Sequence, residues 1–211
     1  PYDMSDKLIA TMAEYDNICK YIHLPVQSGS DRVLQAMNRH YTVEHYKERM
    51  RKIKEFMPNC ALSTDIIVGF PTETEEEHQM TVELMREIRY DGAYMFLYSP
   101  RERTKAWKME DDVPYDVKVR RLDEIVKQQQ RIAGEINQLA IGTTEDVLVE
   151  GPSRRNPDTE WQGRTDTNKI VIFPHLTDKN ASVHAGYMVG DMVKVKVERA
   201  SAAAFFGQIV G

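Results

Sequence analysis

Ala61 to Val68 is a run of apolar and β-branched residues that stops abruptly at Gly69 and Pro71, and a threonine- and glutamate-rich helix start follows at once. Such a run reads as a buried strand feeding a tight turn and then a helix. In a parallel sheet or barrel, ligands gather at the carboxyl ends of the strands, so Gly69 to Glu73 is expected on the functional rim. Asp65 interrupts the apolar run. A carboxylate there needs a pairing cation, backbone donors or a ligand cavity, because burying it alone is costly.

Two further units repeat the pattern. Tyr21 to Val26 reads as a strand that ends near Pro25, which cannot donate to a ladder. A polar turn from Gln27 to Asp31 follows, then a helix from Arg32 to about Arg39 capped by Ser30 or Asp31. Gly92 to Ser99 is a third strand, closed by Pro100. Helices are expected at Met4 to Tyr15 and from Thr42 to Pro58, the latter with Tyr46, Met50, Ile53 and Phe56 or Met57 on one stripe. Thr74 and Glu77 form a capping box for another helix, whose apolar face is expected to carry Met80, Leu84 and Ile88. The acidic run Glu75 to Glu77 is explained by the helix dipole. Strands alternating with helices imply parallel βαβ units, and three strands cannot close a barrel. Either the sheet is open or further strands precede Pro1.

Arg101 to Lys108 carries four cations and a tryptophan at the end of the third strand; composition alone reads it as a solvated loop. A long helix from Tyr115 to about Leu139 follows, with Gln129 breaking its apolar stripe and Gly142 as its stop; it is expected to pack across the sheet edge. Beyond Gly142 the texture changes to five short strand-like runs separated by Gly, Pro, Asn and Asp turns. That pattern suggests a small OB-like barrel, a common platform for single-stranded RNA.

Composition narrows the function classes. With 41% hydrophobic and 29% charged residues, the chain is globular, and no apolar run approaches the roughly 20 residues that span a bilayer, so no membrane role is expected. The formal charge of −5 gives no global attraction to nucleic acid. RNA contacts therefore depend on placement, with Arg101, Arg103 and Lys105 in the loop and Arg154, Arg155, Arg164 and Lys169 in the tail as candidates. Only two cysteines occur, Cys19 and Cys60, and they are expected as reduced thiols of a cytoplasmic protein rather than as metal ligands. The start at Pro1, without Met, reads as that of a fragment.

Ordered blocks along the chain then carry a resemblance. His-Leu-Pro-Val-Gln-Ser-Gly-Ser from His23, Met-Asn-Arg ending at Arg39, Thr-Asp-Ile-Ile-Val-Gly-Phe-Pro-Thr-Glu-Thr from Thr64, Tyr-Ser-Pro-Arg from Tyr98 and Thr-Lys-Ala from Thr104 resemble the radical S-adenosylmethionine methylthiotransferases. The resemblance implies an α/β fold class: the C-terminal half of a partial (β/α) radical-SAM barrel with its trailing helices at residues 1–138, followed by an OB-like all-β TRAM barrel at 139–211.

It implies S-adenosylmethionine as cofactor, bound by Gln27, Ser28, Ser30, Arg39, Asp65, Ile67, Val68 and Gly69, with the glycine admitting the adenine closely. It also implies iron–sulfur clusters in the full-length parent, where one cluster reductively cleaves S-adenosylmethionine and a second delivers sulfur. The cysteine motif that would hold a cluster is missing from this chain, so neither catalytic nor metal residues are assigned and the isolated chain is expected to be inactive.

Arg101 after Tyr-Ser-Pro resembles the branch that acts on isopentenylated adenosine in the tRNA anticodon stem-loop. Arg101-Glu-Arg-Thr104 departs from the family's Arg-Pro-Gly-Thr, however, and lacks the Pro and Gly that would set the turn. The alternatives are the ribosomal-protein aspartate or threonylcarbamoyladenosine branch, and a non-catalytic RNA-binding module. An exposed half-barrel would also invite a non-native dimer.

Overall fold

The computed structural model describes residues 1–175 and 187–210. It divides into two compact units, Pro1–Ile132 and the chain from Ala133 onward. The first is built on a three-stranded sheet, β1 (Tyr21–His23), β2 (Ala61–Val68) and β3 (Gly92–Leu97), in that order and parallel throughout. Helices α1 (Asp6–Glu14), α2 (Asp31–Ala36), α3 (Val43–Phe56) and α4 (Glu75–Ile88) connect or precede these strands, and α5 (Tyr115–Gln138) follows them.

Caps set the helix starts. The side chains of Ser5, Ser30, Thr42 and Thr74 accept from the amides of Leu8, Val33, His45 and Glu77. The capping box is complete, because the Thr74 amide also donates to Glu77 Oε2 at 3.0 Å. The strand expected over Tyr21 to Val26 is shorter: Pro25 interrupts the ladder, and the chain rejoins β2 only through a bridge between Gln27 and Ile66. Likewise α2 ends at Ala36, not near Arg39.

The apolar face expected for α4 is rotated in the structure. Met80 is exposed, and the buried positions are Glu77, His78, Thr81, Val82, Leu84 and Met85. Polar anchors set this rotation: Glu77 is gripped by Ser30 and Arg32, and His78 Nε2 lies 2.9 Å from Glu124 of α5. Just past α3, Met57 fills the core beside Tyr46, Met50 and Ile53 of that helix, while Phe56 is exposed. Gln129, which breaks the α5 stripe in sequence, is buried because its amide donates to the Tyr90 carbonyl at 2.8 Å. Leu139 falls beyond the helix and is exposed.

The second unit holds the last turns of α5 and five strands: β4 (Thr144–Pro152), β5 (Glu160–Arg164), β6 (Ile170–Pro174), β7 (Met192–Ala200) and β8 (Ala204–Ile209). They close a barrel in the order β4-β5-β6-β8-β7 around Val147, Val149, Val171, Phe173, Val195, Val197, Ala200 and Phe205. Alternation fills it: Val193, Val195 and Val197 turn inward while Lys194 and Lys196 stay in water. Gly207 is required here, since a Cβ would sit 1.9 Å from the Lys196 carbonyl oxygen. Both the parallel α/β sheet and the small all-β barrel agree with the fold class expected from sequence.

Candidate functional site

Because strand residues alternate, β2 has two different faces. Leu62, Thr64, Ile66 and Val68 are buried beneath helices, whereas Asp65 and Ile67 on the other face are only half-buried. The register places Asp65 beside Tyr94 and Ile67 beside Phe96, and both aromatic rings are more than half exposed. At the carboxyl end of this open face lies a cavity of about 840 Å³.

Gln27, Arg39, Asp65, Ile67, Arg101 and Lys105 all line that cavity, so the structure brings these six sequence-derived candidates together. Gln27 is 6% exposed, yet its side chain makes no hydrogen bond to a described residue. Its backbone takes φ +75°, a left-handed conformation uncommon for a residue with a Cβ. Two ladder bonds hold it there, from the Gln27 amide to the Asp65 carbonyl at 2.8 Å and from the Ile67 amide to the Gln27 carbonyl at 3.0 Å. Arg39, Arg101 and Lys105 form no ion pair with a described residue.

Ser28, Ser30, Val68 and Gly69 do not line the cavity. Ser28 and Val68 are fully buried, and Ser30 caps α2 and donates to Glu77 Oε1 at 2.9 Å. Gly69 has φ +71°, and a Cβ there would meet Cγ of Lys118 at 2.3 Å. The close approach that glycine permits is therefore to the stem of Lys118. The Gly69 amide donates to Glu73 Oε2 at 2.6 Å, and Arg121 reaches the same oxygen at 2.8 Å. Burial pushes the Glu73 carboxyl up from its ordinary value, against the downward pull of the Gly69 amide and Arg121. Hydrogen bonding from Arg32 holds Glu77 down at about 2.

The loop without Pro and Gly nevertheless turns. Arg103 takes the left-handed φ of +68°, the Thr104 amide donates to the Arg101 carbonyl at 3.3 Å, and the Thr104 hydroxyl donates to it at 2.8 Å. Tyr98 braces the loop by donating to the Ala106 carbonyl at 3.1 Å. Arg103 itself is exposed. In the barrel unit, Arg154 and Arg155 are exposed, Arg164 contacts Glu150 and Asn168 at 2.8 Å each, and Lys169 is half-buried.

Sequence reasoning missed His23, Ser63 and Tyr94, which share the open face with Asp65. Counting by twos outward from Asp65 would have found Ser63. Cys19 is exposed and Cys60 buried. Among the described residues no three His, Cys, Asp or Glu side chains cluster as a metal site.

Residues 1–85 match the Radical SAM superfamily, and residues 138–210 match the TRAM domain. The two matches lie one after the other along the chain. It is 49% identical over 211 residues to the tRNA-2-methylthio-N(6)-dimethylallyladenosine synthase of Bacteroides thetaiotaomicron, covering 100% of this chain and 44% of that protein. The synthase of the same description from Chloroherpeton thalassium is 49% identical over 208 residues, covering 98% of this chain and 44% of the relative. The chain thus spans less than half the length of these relatives.

Among solved structures, coproporphyrinogen III oxidase from Escherichia coli, a radical SAM enzyme, matches with a TM-score of 0.52 at 12% identity, over 78% of this chain and 44% of the other. That likeness concerns the fold alone. The cavity lies on the three-stranded parallel sheet, and the closed barrel lies within the residues that match the TRAM domain.

Proposed function

We propose that this chain is the cofactor- and RNA-contacting portion of a tRNA methylthiotransferase that adds a methylthio group to isopentenylated adenosine beside the anticodon. The observation that carries the reading is the cavity at the carboxyl ends of three parallel strands. Its wall combines Gln27, whose side chain has no hydrogen-bond partner among the described residues, the Asp65 carboxylate, and three cations with no ion pair among the described residues. The names of the relatives and the TRAM match support tRNA as the partner, and a cytoplasmic location accompanies that substrate.

The wall fits S-adenosylmethionine, a molecule with an adenine, ribose hydroxyls, an ammonium and a carboxylate. Gln27, Asp65 and Arg39 offer complementary polar groups, while Ile67, Phe70, Phe96 and Leu97 supply apolar surface that excludes water. Bound there, the cofactor would supply the methyl group of the product. Arg101 and Lys105, on the loop that rims the cavity, give cationic contacts for an RNA phosphate, and Arg103, Arg154, Arg155, Arg164 and Lys169 are the further RNA contacts of the proposal.

The residues present do not fit an iron–sulfur cluster. Its family motif needs three thiolates, and this chain has only the exposed Cys19 and the buried Cys60, so no step is assigned to a cluster here. Ser28, Ser30, Val68 and Gly69 contribute by holding the strand ends that carry Gln27 and Ile67.

Calorimetry with S-adenosylmethionine on the full-length protein tests the cofactor site. Gln27→Ala is expected to weaken binding roughly tenfold, as loss of one hydrogen-bonding group to a charged or polar ligand does, with no loss of folding. Unchanged affinity would remove Gln27 from the site. Binding of an anticodon stem-loop is expected to fall steeply between low and moderate salt, and a flat response would defeat the RNA assignment.

A further inference from the structure

On the open face of the sheet, four side chains from two strands make one connected path ending at the cavity. Tyr21 Oη lies 2.6 Å from Ser63 Oγ, Ser63 Oγ lies 2.8 Å from His23 Nδ1, and His23 Nε2 lies 3.3 Å from Asp65 Oδ1. The parallel register, Tyr21 beside Ala61 and His23 beside Ser63, brings them together, and the Tyr94 ring meets the imidazole edge-on at 5.7 Å. Ser63 is 1% exposed, so it is not presented to a substrate as a nucleophile.

Simple donor counting orients the path. A carboxylate only accepts, so in neutral histidine the proton is placed on Nε2, the nitrogen that faces Asp65 across an ion-pair contact of 3.3 Å. In neutral histidine Nδ1 then accepts, which obliges the Ser63 hydroxyl to donate to it. Ser63 has a single proton, so it must in turn accept from Tyr21. Every proton in the path points toward Asp65. The second carboxylate oxygen of Asp65 has no described protein partner, and Asp65 lines the cavity.

We infer that His23 is a positioning residue: fixed in one tautomer by Ser63 and Tyr21, it holds Asp65 as an oriented acceptor for a donor group, hydroxyl or ammonium, of the ligand in the cavity. The inference rests on the reading of Asp65 as a cofactor contact. His23 acts through Asp65 and does not itself line the cavity. Its role is to prevent the carboxylate from rotating away when a ligand arrives, so that less conformational freedom is lost on binding.

Nitrogen-15 NMR of histidine side chains in the neutral protein tests the path without any ligand, with the His23 signals assigned by their loss in His23→Gln. The expected result is a protonated Nε2 and a bare Nδ1, with the bias falling in Asp65→Asn, whose amide can donate as well as accept. A protonated Nδ1 in the unsubstituted protein, or a tautomer ratio unchanged by Asp65→Asn, would overturn the inference.

Calorimetry with S-adenosylmethionine on the full-length protein supplies the second readout. His23→Phe is expected to weaken binding roughly tenfold, and His23→Gln, whose amide N–H can replace the Nε2 proton, by less than about threefold. Equal losses in the two variants would refute positioning by a donor. Unchanged affinity in Asp65→Asn would instead refute Asp65 as a cofactor contact and take the ligand half of the inference with it, whereas an altered tautomer would remain a property of the path alone.

Discussion

The cavity at the strand ends and the helix-covered side of the three-stranded sheet treat polar groups differently. On the helix-covered side, the buried polar anchors are tied to protein groups, though Glu73 Oε1 and His78 Nδ1 are left over: Glu77 accepts from Ser30, Arg32 and Thr74, Glu73 from Gly69 and Arg121, and His78 meets Glu124. On the open side, Gln27, Arg39, Arg101 and Lys105 converge on one cavity without such partners. Polar groups bonded inside the protein serve the fold, while those left available can serve a ligand. The proposed site rests on this contrast without appeal to any relative.

The largest test compares adjacent residues of β2 that point to opposite sides. Ile66 is 0% exposed and Ile67 half-buried. Ile66→Ala should cost roughly 2 to 5 kcal/mol in urea unfolding, through lost burial and the cavity left behind, and Ile67→Ala well under half of that. Equal losses would mean that the open face is covered in solution, and would break the contrast.

A second test concerns the polar anchors. Glu77→Gln should cost roughly 1 to 3 kcal/mol at neutral pH, the scale of hydrogen bonds to a charged group. The folded carboxyl is held at about 2, below its ordinary value of 4.5. Its stabilisation is therefore complete above about pH 4.5 and disappears as the pH falls toward 2. The stability difference between wild type and Glu77→Gln should close over that window, and a difference independent of pH would show that Glu77 does not anchor through its charge.

Glu73 contributes with the opposite sign. Burial raises its folded value, so protonation favours the folded state as the pH falls, and Glu73→Gln should lose that gain at low pH.

What could be read from sequence follows the same division. The capping box at Thr74 and Glu77, the strand at Ala61 to Val68 and the five barrel strands are local patterns with local causes, and they were legible. The rotation of α4 was not, because Arg32, Ser30 and Glu124, distant in sequence, decide which face is buried, and they leave Met80 in water. Gln129 looked like a break for the same reason, since its partner is the carbonyl of Tyr90. In the site, Gln27 stood out as a polar residue just past a strand end and Asp65 as a carboxylate inside an apolar run. The join of His23 to Ser63 depends on strand register, which no short motif encodes. The turn at Arg103 shows the converse: a conformation that Pro and Gly would have announced is enforced by Thr104 and Tyr98.

The smallest effect is the most discriminating. Gln27 holds a left-handed backbone at φ +75° although glycine would adopt it at little cost. If the amide were there for the fold, removing it would destabilise the protein. The side chain has no described partner, so Gln27→Gly should instead stabilise the ligand-free protein by up to about 1 kcal/mol through relief of the left-handed strain, offset in part by the greater freedom of the unfolded chain. The same substitution should weaken S-adenosylmethionine binding as Gln27→Ala does. Higher stability with lower affinity would mean that the strain is retained to present the amide to a ligand. Lower stability with intact affinity would place Gln27 among the residues that serve the fold, and the open side would lose its most buried ligand group.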